Sequence, residues 1–393
     1  MKTVTDMDPQ ELREHKEEFL RVLNAWFIAE HRDLPWRDLD APNPYHVWIS
    51  EIMLQQTRVS AVVDYFLRFI SELPDIAALA SVPDDRLMKL WEGLGYYSRA
   101  RNLKRCAQVL MHDFDGAMPR DPAALAKLPG IGPYTAGAIA SIAFGEPKAA
   151  VDGNVLRVFS RLLADRSDIS KESTKKAYTE LLDELLPYAH NAGHINQAIM
   201  DLGATICIPG GEARCSLCPV EGFCKARREG ITGELPVKQR AQSRRQEHRV
   251  ILILENGGKV LVGKRPEQGL LAGLYEYPGA RITPKQMEDF EQGPSGKRAL
   301  KAYESLFGEF GLTAKKARFA LRSKHIFSHI EWEMIGLYVE TADPCATEAL
   351  AEKNLYFADA GELKERYALP GAFSAYTNEF LNRRGDIDGS HET

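Results

Sequence analysis

The stretch that most constrains the fold of this chain lies between residues 128 and 157 and is rich in glycine and other small residues. It contains, in order, the motifs LPGIG at 128–132, PYTAGAIAS at 133–141 and DGN at 152–154. Gly130 and Gly132 allow a tight turn with positive φ, and a proline suits the first position of the following helix. Backbone N–H groups at such a helix start attract a phosphate. The stretch therefore predicts either an ordinary helical hairpin or a phosphate anchor with the carboxylate of Asp152 behind it.

Length and composition indicate a globular protein with two domains. The 393 residues suffice for two hydrophobic cores, and the hydrophobic content of 44% and charged content of 27% are ordinary for such proteins. The sequence has no apolar run of about eighteen residues, and its beginning, MKTVTDMDPQELREHKEE, lacks the apolar core of a signal peptide. We expect a monomer without membrane contact in the cytoplasm, associated with the nucleoid, and a nuclear location stays open.

Local charge is more informative than the net charge of -5. Residues 225–249 carry eight Lys and Arg against three Glu. A second basic group follows the loop GLGYY at 93–97 and consists of Arg99, Arg101, Lys104 and Arg105. Each group is either a DNA-facing surface or a solvated helix face. The tyrosines of the loop either insert into a base stack or pack in the core.

Hydrophobic periodicity predicts a multidomain fold with an all-α first domain and an α+β second domain. We place the domains at 1–228 and 248–382, a polar and basic linker at 229–247 and a disordered tail at 383–393. The predicted helices lie at 10–31, 47–70, 75–92, 98–112, 121–127, 133–144, 153–164, 171–186, 191–204, 283–291, 297–308 and 359–367. Asn256-Gly257-Gly258 between two apolar runs predicts a β-hairpin, and further strands are expected near 274–277, 316–322, 325–330 and 332–340.

Glu51 is a candidate catalytic acid on the predicted helix 47–70. It lies beside Trp48 and Ile52 on the early turns of that helix. Burial there would raise the pKa of its carboxyl group and let it carry a proton near neutral pH. An exposed glutamate at a helix start, stabilised by the helix dipole, is the alternative interpretation.

Four clustered cysteines predict a metal site. The pattern is C-x7-C-x2-C-x5-C, formed by Cys207, Cys215, Cys218 and Cys224. Disulfides are not expected in a cytosolic chain. Clustered thiolates bind zinc or a [4Fe–4S] cluster, and spacing alone does not separate the two. We expect the site to be structural and to shape a loop rich in Lys and Arg next to DNA.

Taken in order, the motifs of residues 1–228 resemble those of the endonuclease III superfamily of helix–hairpin–helix DNA glycosylases, and within it the adenine DNA glycosylase (MutY) family. The matching motifs are LPWR at 34–37, SEIMLQQT at 50–57, GLGYYSRARNL at 93–103, LPGIGPYTAGAI at 128–139, VDGNV at 151–155, NQAIMDLGA at 196–204 and the cysteine cluster. The region after residue 247 resembles the Nudix-like domain with which that family senses 8-oxoguanine, and FSH at 327–329 matches its reading loop. The resemblance implies a [4Fe–4S] cluster, with zinc as the second choice.

The resemblance also implies a role for each candidate site residue. Glu51 is the general acid toward adenine N7, and Asp152 is the carboxylate that stabilises the cationic sugar. Tyr134 and Asn154 support these acids. The adenine pocket is lined by Trp36, Arg37 and Gln197. The side chains that read or wedge beside the opposing 8-oxoguanine are Gln56, Thr57, Leu94, Tyr96, Phe327, Ser328 and His329, while Gly130 and Gly132 hold the DNA backbone.

Two departures from the family patterns and one further position bear on the chemistry. The first cysteine spacing is C-x7-C where the family has C-x6-C, so the loop 208–214 is one residue longer. The carboxylates of the Nudix hydrolase box are mostly missing: its aligned positions are Glu304-Ser305 and Gly308-Glu309. Nucleotide hydrolysis is therefore not expected. Tyr134 stands where strand-cleaving relatives have a lysine, and tyrosine has no amine to form a Schiff base.

The sequence thus predicts a monofunctional glycosylase that flips adenine out of double-stranded DNA. It would excise adenine from A:8-oxoguanine or A:G mispairs by acid-assisted hydrolysis of the N-glycosidic bond. An endonuclease III-like or thymine-mismatch glycosylase on the same fold is the alternative. A lesion-binding protein without catalysis is a further alternative, against which the presence of both candidate acids argues.

Overall fold

The computed structural model describes residues 10–239, 243–292, 312–341 and 347–388. The chain forms two compact units. The first comprises Met1–Val82 and Ser98–Ala241, and the second comprises Pro83–Tyr97 and Gln242–Thr393. None of the helices in the described ranges is both long and apolar enough to cross a membrane.

The first unit is built from helices and loops. Its helices are α1 (Gln10–Glu14), α2 (Lys16–Glu30), α3 (Pro44–Leu54), α4 (Val59–Glu72), α5 (Ile76–Ser81), α7 (Ser98–Asp113), α8 (Pro122–Leu125), α9 (Pro133–Phe144), α10 (Gly153–Leu162), α11 (Glu172–Leu185), α12 (Ala192–Thr205) and α13 (Lys225–Arg228), whereas α6 (Asp84–Leu90) belongs to the second unit. Side chains of α2, α10, α11 and α12 share one apolar core.

Local sequence explains where the helices that carry the candidate site begin. Asn43 caps α3 by accepting the N–H groups of Tyr45 and His46, as asparagine commonly does. Helix α9 starts with Pro133 at its first position. A Cβ atom at Gly137 of that helix would lie 2.0 Å from the carbonyl oxygen of Ala149. Only glycine therefore lets α9 pack this closely against the segment that leads to Asp152.

Within its described residues, the second unit is organised around a mixed sheet of seven strands. The strands are β1 (Arg245–Asn256), β2 (Lys259–Lys264), β3 (Tyr275–Glu276), β4 (Gly279–Ile282), β5 (Ala314–Ile326), β6 (Ile330–Thr341) and β7 (Leu355–Ala358), and the helices after the sheet begins are α14 (Pro284–Gln292), α15 (Thr347–Ala351), α16 (Ala360–Glu365) and α17 (Ser374–Asp388). The path β3-β2-β1-β6-β5 has β1 and β6 parallel, with Arg245 opposite Ile330 and Glu255 opposite Glu340. Two apolar cores contain side chains of this sheet, one with Trp332 and Tyr376 and the other with Met287.

Several predicted elements have different bounds in the structure. The predicted helix 10–31 is two helices, α1 and α2, separated by a turn at His15. The predicted helix 47–70 is two helices, because Gln56 adopts φ 58° after α3. The predicted helix 75–92 breaks at Val82, which is extended because the following Pro83 disfavours helical geometry. The strand predicted at 316–322 continues to Ile326 as part of β5, with a register shift between Phe319 and Arg322. The strand predicted at 325–330 is not a separate element, because residues 327–329 form a turn and Ile330 begins β6. The hairpin of β1 and β2 is confirmed. The predicted helix 297–308 lies outside the described residues.

The segments predicted as linker and tail are partly ordered. Leu235 is buried, and the N–H of Ile169 donates to the carbonyl oxygen of Val237 at 3.0 Å. Part of the segment 229–247 therefore packs on the first unit. Helix α17 continues to Asp388, past the predicted tail start at 383, and the Arg383 guanidinium pairs with Glu379 and stacks on Tyr338.

Candidate active site

One cavity of about 580 Å³ in the first unit brings together all the predicted catalytic residues and the predicted adenine-pocket residues. Its walls come from α3, α9, α10, α12 and the turns before and after α3. The predicted residues that line it are Trp36, Arg37, Glu51, Gln56, Thr57, Gly132, Tyr134, Asp152, Asn154 and Gln197. These positions span more than 160 residues of sequence, so only the tertiary fold makes them neighbours.

Glu51 is a buried acid. It is 7% exposed, and the hydroxyl of Tyr134 donates to its Oε2 atom at 2.5 Å. Burial raises the pKa of Glu51 to about 7, and the negative charge of Asp152 adds to this rise. The hydrogen bond from Tyr134 and the positive charge of Arg37 act in the opposite direction and lower the pKa. The carboxyl group can therefore hold a proton at neutral pH, as expected for a buried side chain at this position.

Asp152 is the N-cap residue of α10. Its Oδ1 atom accepts the backbone N–H groups of Asn154 at 2.9 Å and Val155 at 2.8 Å, and its Oδ2 atom accepts the side-chain amide of Asn154 at 2.7 Å. Burial raises the pKa of Asp152, and these N–H donors and Arg157 oppose that rise. The ionised form of the carboxylate is stabilised by these three hydrogen-bond donors and by the dipole at the N-terminus of α10.

Arg157 is a residue of this site that the sequence analysis did not single out. Its Nη2 atom donates to Oδ1 of Asn154 at 2.8 Å and to the carbonyl oxygen of Gly203 at 2.6 Å, and its Nε atom donates to the carbonyl oxygen of Cys207 at 2.7 Å. The guanidinium thus fixes the amide orientation of Asn154, which in turn leaves the NH₂ group of Asn154 facing Asp152.

Asp201 is the second residue that the sequence analysis missed, although it lies within NQAIMDLGA. It is 1% exposed and accepts both Arg37 Nη1 at 2.7 Å and Arg32 Nε at 2.9 Å. Burial would raise its pKa, but the two guanidinium groups outweigh burial and lower it. The available signal was that Asp201 is the one carboxylate on α12 and lies one turn after Gln197.

The fixed guanidinium of Arg37 faces the cavity. Both terminal nitrogens bind Asp201, and within the described residues its buried Nε atom has no hydrogen-bond partner. The Trp36 ring beside it packs edge-on against Phe66 at 5.3 Å. Gln197 lies buried on α12. An aromatic wall with a few amide and guanidinium donors is typical of a pocket for a planar heterocycle.

The two glycines of the hairpin differ from each other. Gly130 has φ 76°, as predicted, and a Cβ atom there would lie 2.6 Å from Cβ of Asn102. Gly132 is extended, with φ -89° and ψ 176°, and is the N-cap of α9. The prediction of positive φ is therefore wrong for Gly132, because the chain there enters a helix and needs an extended N-cap.

The five residues predicted to contact the opposing base from the loop 93–97 and from the FSH turn belong to the second unit. Leu94 is buried, and Tyr96, 45% exposed, has φ 46°. The hydroxyl groups of Tyr96 and Ser328 lie 2.9 Å apart. Phe327 packs its ring against Trp332 at 4.8 Å, which fixes the turn that exposes Ser328 and His329.

The four cysteines line a separate small cavity of about 30 Å³. Arg161, from α10, donates from Nη1 to Sγ of Cys207 at 3.2 Å, and Sγ of Cys224 lies 3.5 Å from the carbonyl oxygen of Arg161. In the part of the chain that the structure describes, no three side chains of His, Cys, Asp or Glu are placed to share a single metal ion.

Comparison with known proteins assigns both regions of the chain. The family description "HhH-GPD superfamily base excision DNA repair protein" matches residues 49–184, and "NUDIX domain" matches residues 249–379. Among solved structures, a thermostable thymine-DNA glycosylase is 28% identical with a TM-score of 0.48 and covers 56% of this chain and 100% of its own.

Relatives that align with most of this chain show its family. The adenine DNA glycosylase of Mus musculus is 33% identical over 95% of this chain and 80% of its own length. That of Homo sapiens is 36% identical over 84% of this chain and 68% of its own length. Because these similarities extend through both matched regions, the chain belongs to the adenine DNA glycosylase family.

Proposed function

We propose that this protein is a monofunctional glycosylase that excises adenine opposite 8-oxoguanine or guanine in double-stranded DNA by acid-assisted hydrolysis. The observation that carries the proposal is that two carboxyl groups line one cavity. One belongs to the buried Glu51, which has a pKa of about 7, and the other belongs to Asp152, the N-cap residue of α10. Glycosidic bond cleavage uses one protonated and one ionised carboxyl group in this way.

Glu51 supplies the proton that the leaving base needs. A general acid works best with a pKa near the operating pH, and burial provides that value here. Since Tyr134 donates to Oε2, the proton resides on Oε1. Its transfer to N7 of adenine neutralises the charge that the departing base would otherwise carry.

Asp152 stabilises the positive charge that develops on the sugar. The carboxylate is held by Asn154 and the first turn of α10, so it does not need to reorient during the reaction. Tyr134 offers no amine for a covalent intermediate, and water therefore completes the reaction without strand cleavage.

The cavity accommodates a base that has left the duplex. Its volume of about 580 Å³ lies within the range of about 300–1,000 Å³ of small-molecule sites. Trp36 supplies an apolar wall, and Arg37 and Gln197 supply hydrogen-bond donors toward adenine. The target must be flipped out of the stack to reach them.

Other residues would bind the rest of the lesion DNA. The amide groups around Gly130 and Gly132 suit a phosphate at the start of α9. The side chains that would read or wedge beside the opposing 8-oxoguanine are Gln56, Thr57, Leu94, Tyr96 and Ser328, the last held between Phe327 and His329.

The four cysteines are proposed to hold a [4Fe–4S] cluster. Four thiols around one cavity, with a guanidinium donating to one sulfur, fit the ligands and hydrogen bonds that such clusters use. The cluster would fix the loop between α12 and α13. Purified protein should be brown and contain iron and acid-labile sulfide in equal amounts, and a colourless protein that contains zinc alone would overturn this assignment.

Alkali-induced strand scission tests the proposed reaction. Duplexes with A opposite 8-oxoguanine should be cut at the adenine after alkali, A opposite G more slowly, and T opposite G not at all. Borohydride should trap no robust covalent complex. Scission at T:G alone would indicate the thymine-mismatch alternative, and efficient trapping would indicate a strand-cleaving lyase.

A further inference from the structure

A buried arginine on α7 holds the C-terminal end of α3. Arg99 is 8% exposed, and its Nη1 atom lies 2.6 Å from the carbonyl oxygen of Ile52, 3.0 Å from that of Met53 and 2.8 Å from that of Gln55. A helix leaves its last carbonyl groups without intrahelical partners. A guanidinium at that end satisfies them and interacts favourably with the helix dipole.

The sequence offered two interpretations of Arg99, a DNA contact or part of a solvated face. Its burial and its bonds to α3 agree with neither. Arg105, which lies further along the same helix, is exposed. The basic group 99–105 is therefore not one surface, because Arg99 points into the unit and Arg105 points out of it.

The turn held by Arg99 has a conformation that needs support. Gln56 has φ 58°, in the left-handed region that residues other than glycine rarely adopt. The backbone N–H of Thr57 donates to the carbonyl oxygen of Leu54 at 3.2 Å. Such a conformation persists only where neighbouring groups impose it, and the bond from Arg99 to the Gln55 carbonyl oxygen lies directly before it.

We propose that Arg99 is a positioning residue that holds Gln56 and Thr57 in place and so determines selectivity for the base opposite adenine. The inference rests on the proposed function, in which these two side chains read that base. Glu51 lies on the same helix, but its position is also fixed by Tyr134. Loss of Arg99 should therefore affect selectivity more than the excision step itself.

The first experiment measures the turn directly and does not depend on any substrate. In Arg99→Met, hydrogen exchange of the Thr57 amide should be at least tenfold faster than in the wild type. Arg105→Met is the matched control, since it makes the same chemical change on the exposed face of α7, and its exchange should be unchanged. Unchanged exchange in Arg99→Met would overturn the proposal.

The second experiment measures selectivity and salt dependence. The ratio of single-turnover rates for A:8-oxoguanine over A:G should fall at least fivefold in Arg99→Met. The slope of log Kd against log salt concentration should stay unchanged, whereas loss of a phosphate contact would reduce it by about one. A reduced slope with an unchanged ratio would show that Arg99 contacts DNA and would refute the positioning role.

Two further variants keep the test decisive. Arg99→Lys retains a cation that reaches part of the helix end, so its exchange and selectivity should lie between those of the wild type and Arg99→Met. In a Thr57→Ala background, Arg99→Met should lower the ratio by a smaller factor, because part of the reading contact is already gone. If the wild type excised no adenine, the proposed function would fail, and Thr57 exchange would still decide the role of Arg99.

Discussion

Replacing Glu51 with glutamine removes an ionisable group from the interior of the first unit while preserving the shape of the side chain. Glu51 has an ordinary pKa of 4.5 in the unfolded chain and about 7 in the fold, because burial disfavours its charge. Between these pH values the unfolded state loses its proton first, so stability decreases as pH rises from 4.5 to 7. The difference corresponds to about 3 kcal/mol, since one pKa unit equals about 1.4 kcal/mol.

Glu51→Gln should therefore unfold with a free energy about 2–3 kcal/mol higher than the wild type at pH 8. At pH 4 the two proteins should differ little, because the carboxyl group is protonated in both states. Urea unfolding at the two pH values measures this difference. The same variant should bind lesion DNA and release no adenine in single-turnover assays, because glutamine has no acidic proton.

Asp201→Asn is the matched control with the opposite sign. The pKa of Asp201 is lowered by Arg37 and Arg32, so its charge stabilises the fold at neutral pH and that contribution is lost as pH falls. The variant should be destabilised at pH 8 by about 3 kcal/mol, because it leaves two partly buried guanidinium groups without their carboxylate. A Glu51→Gln variant that is no more stable than the wild type at pH 8 would refute the reasoning about burial.

Two further variants test the geometry of the site. Tyr134→Phe removes a hydrogen bond that lowers the pKa of Glu51. The pH at which the excision rate falls should therefore rise by roughly one unit. A rate that falls at the same pH as in the wild type would contradict this. Gly137→Ala places a Cβ atom 2.0 Å from the Ala149 carbonyl oxygen and should destabilise the fold by about 3 kcal/mol. A Cβ atom at Gly145 meets nothing within 4 Å. Gly145→Ala is therefore strained only by its positive φ and should destabilise the fold less. Equal thermal midpoints of the two glycine variants would contradict the close packing of α9.

Motifs, and the local geometry that follows from them, could be predicted from the amino-acid sequence. Pro133 and the small residues after it predicted α9 with its observed bounds, and Asn256-Gly257-Gly258 predicted the hairpin of β1 and β2. These features depend on neighbours within a few residues, such as a proline at a helix start or a turn that needs positive φ. The acids Glu51 and Asp152 could likewise be named from motifs alone.

The role of each side chain depends on surroundings that form only when the helices pack together. Burial makes Glu51 an acid with a pKa of about 7, and burial is a property of the assembled helices. Asp201 became part of the site because α12 brings it to Arg37, some 160 residues away. The sequence does not distinguish Arg99 from the exposed Arg105, because the three carbonyl partners of Arg99 lie at the end of another helix and directly after it. The charge and spacing of residues can be read from the sequence. Burial from water and contact with residues distant in sequence depend on how the helices pack.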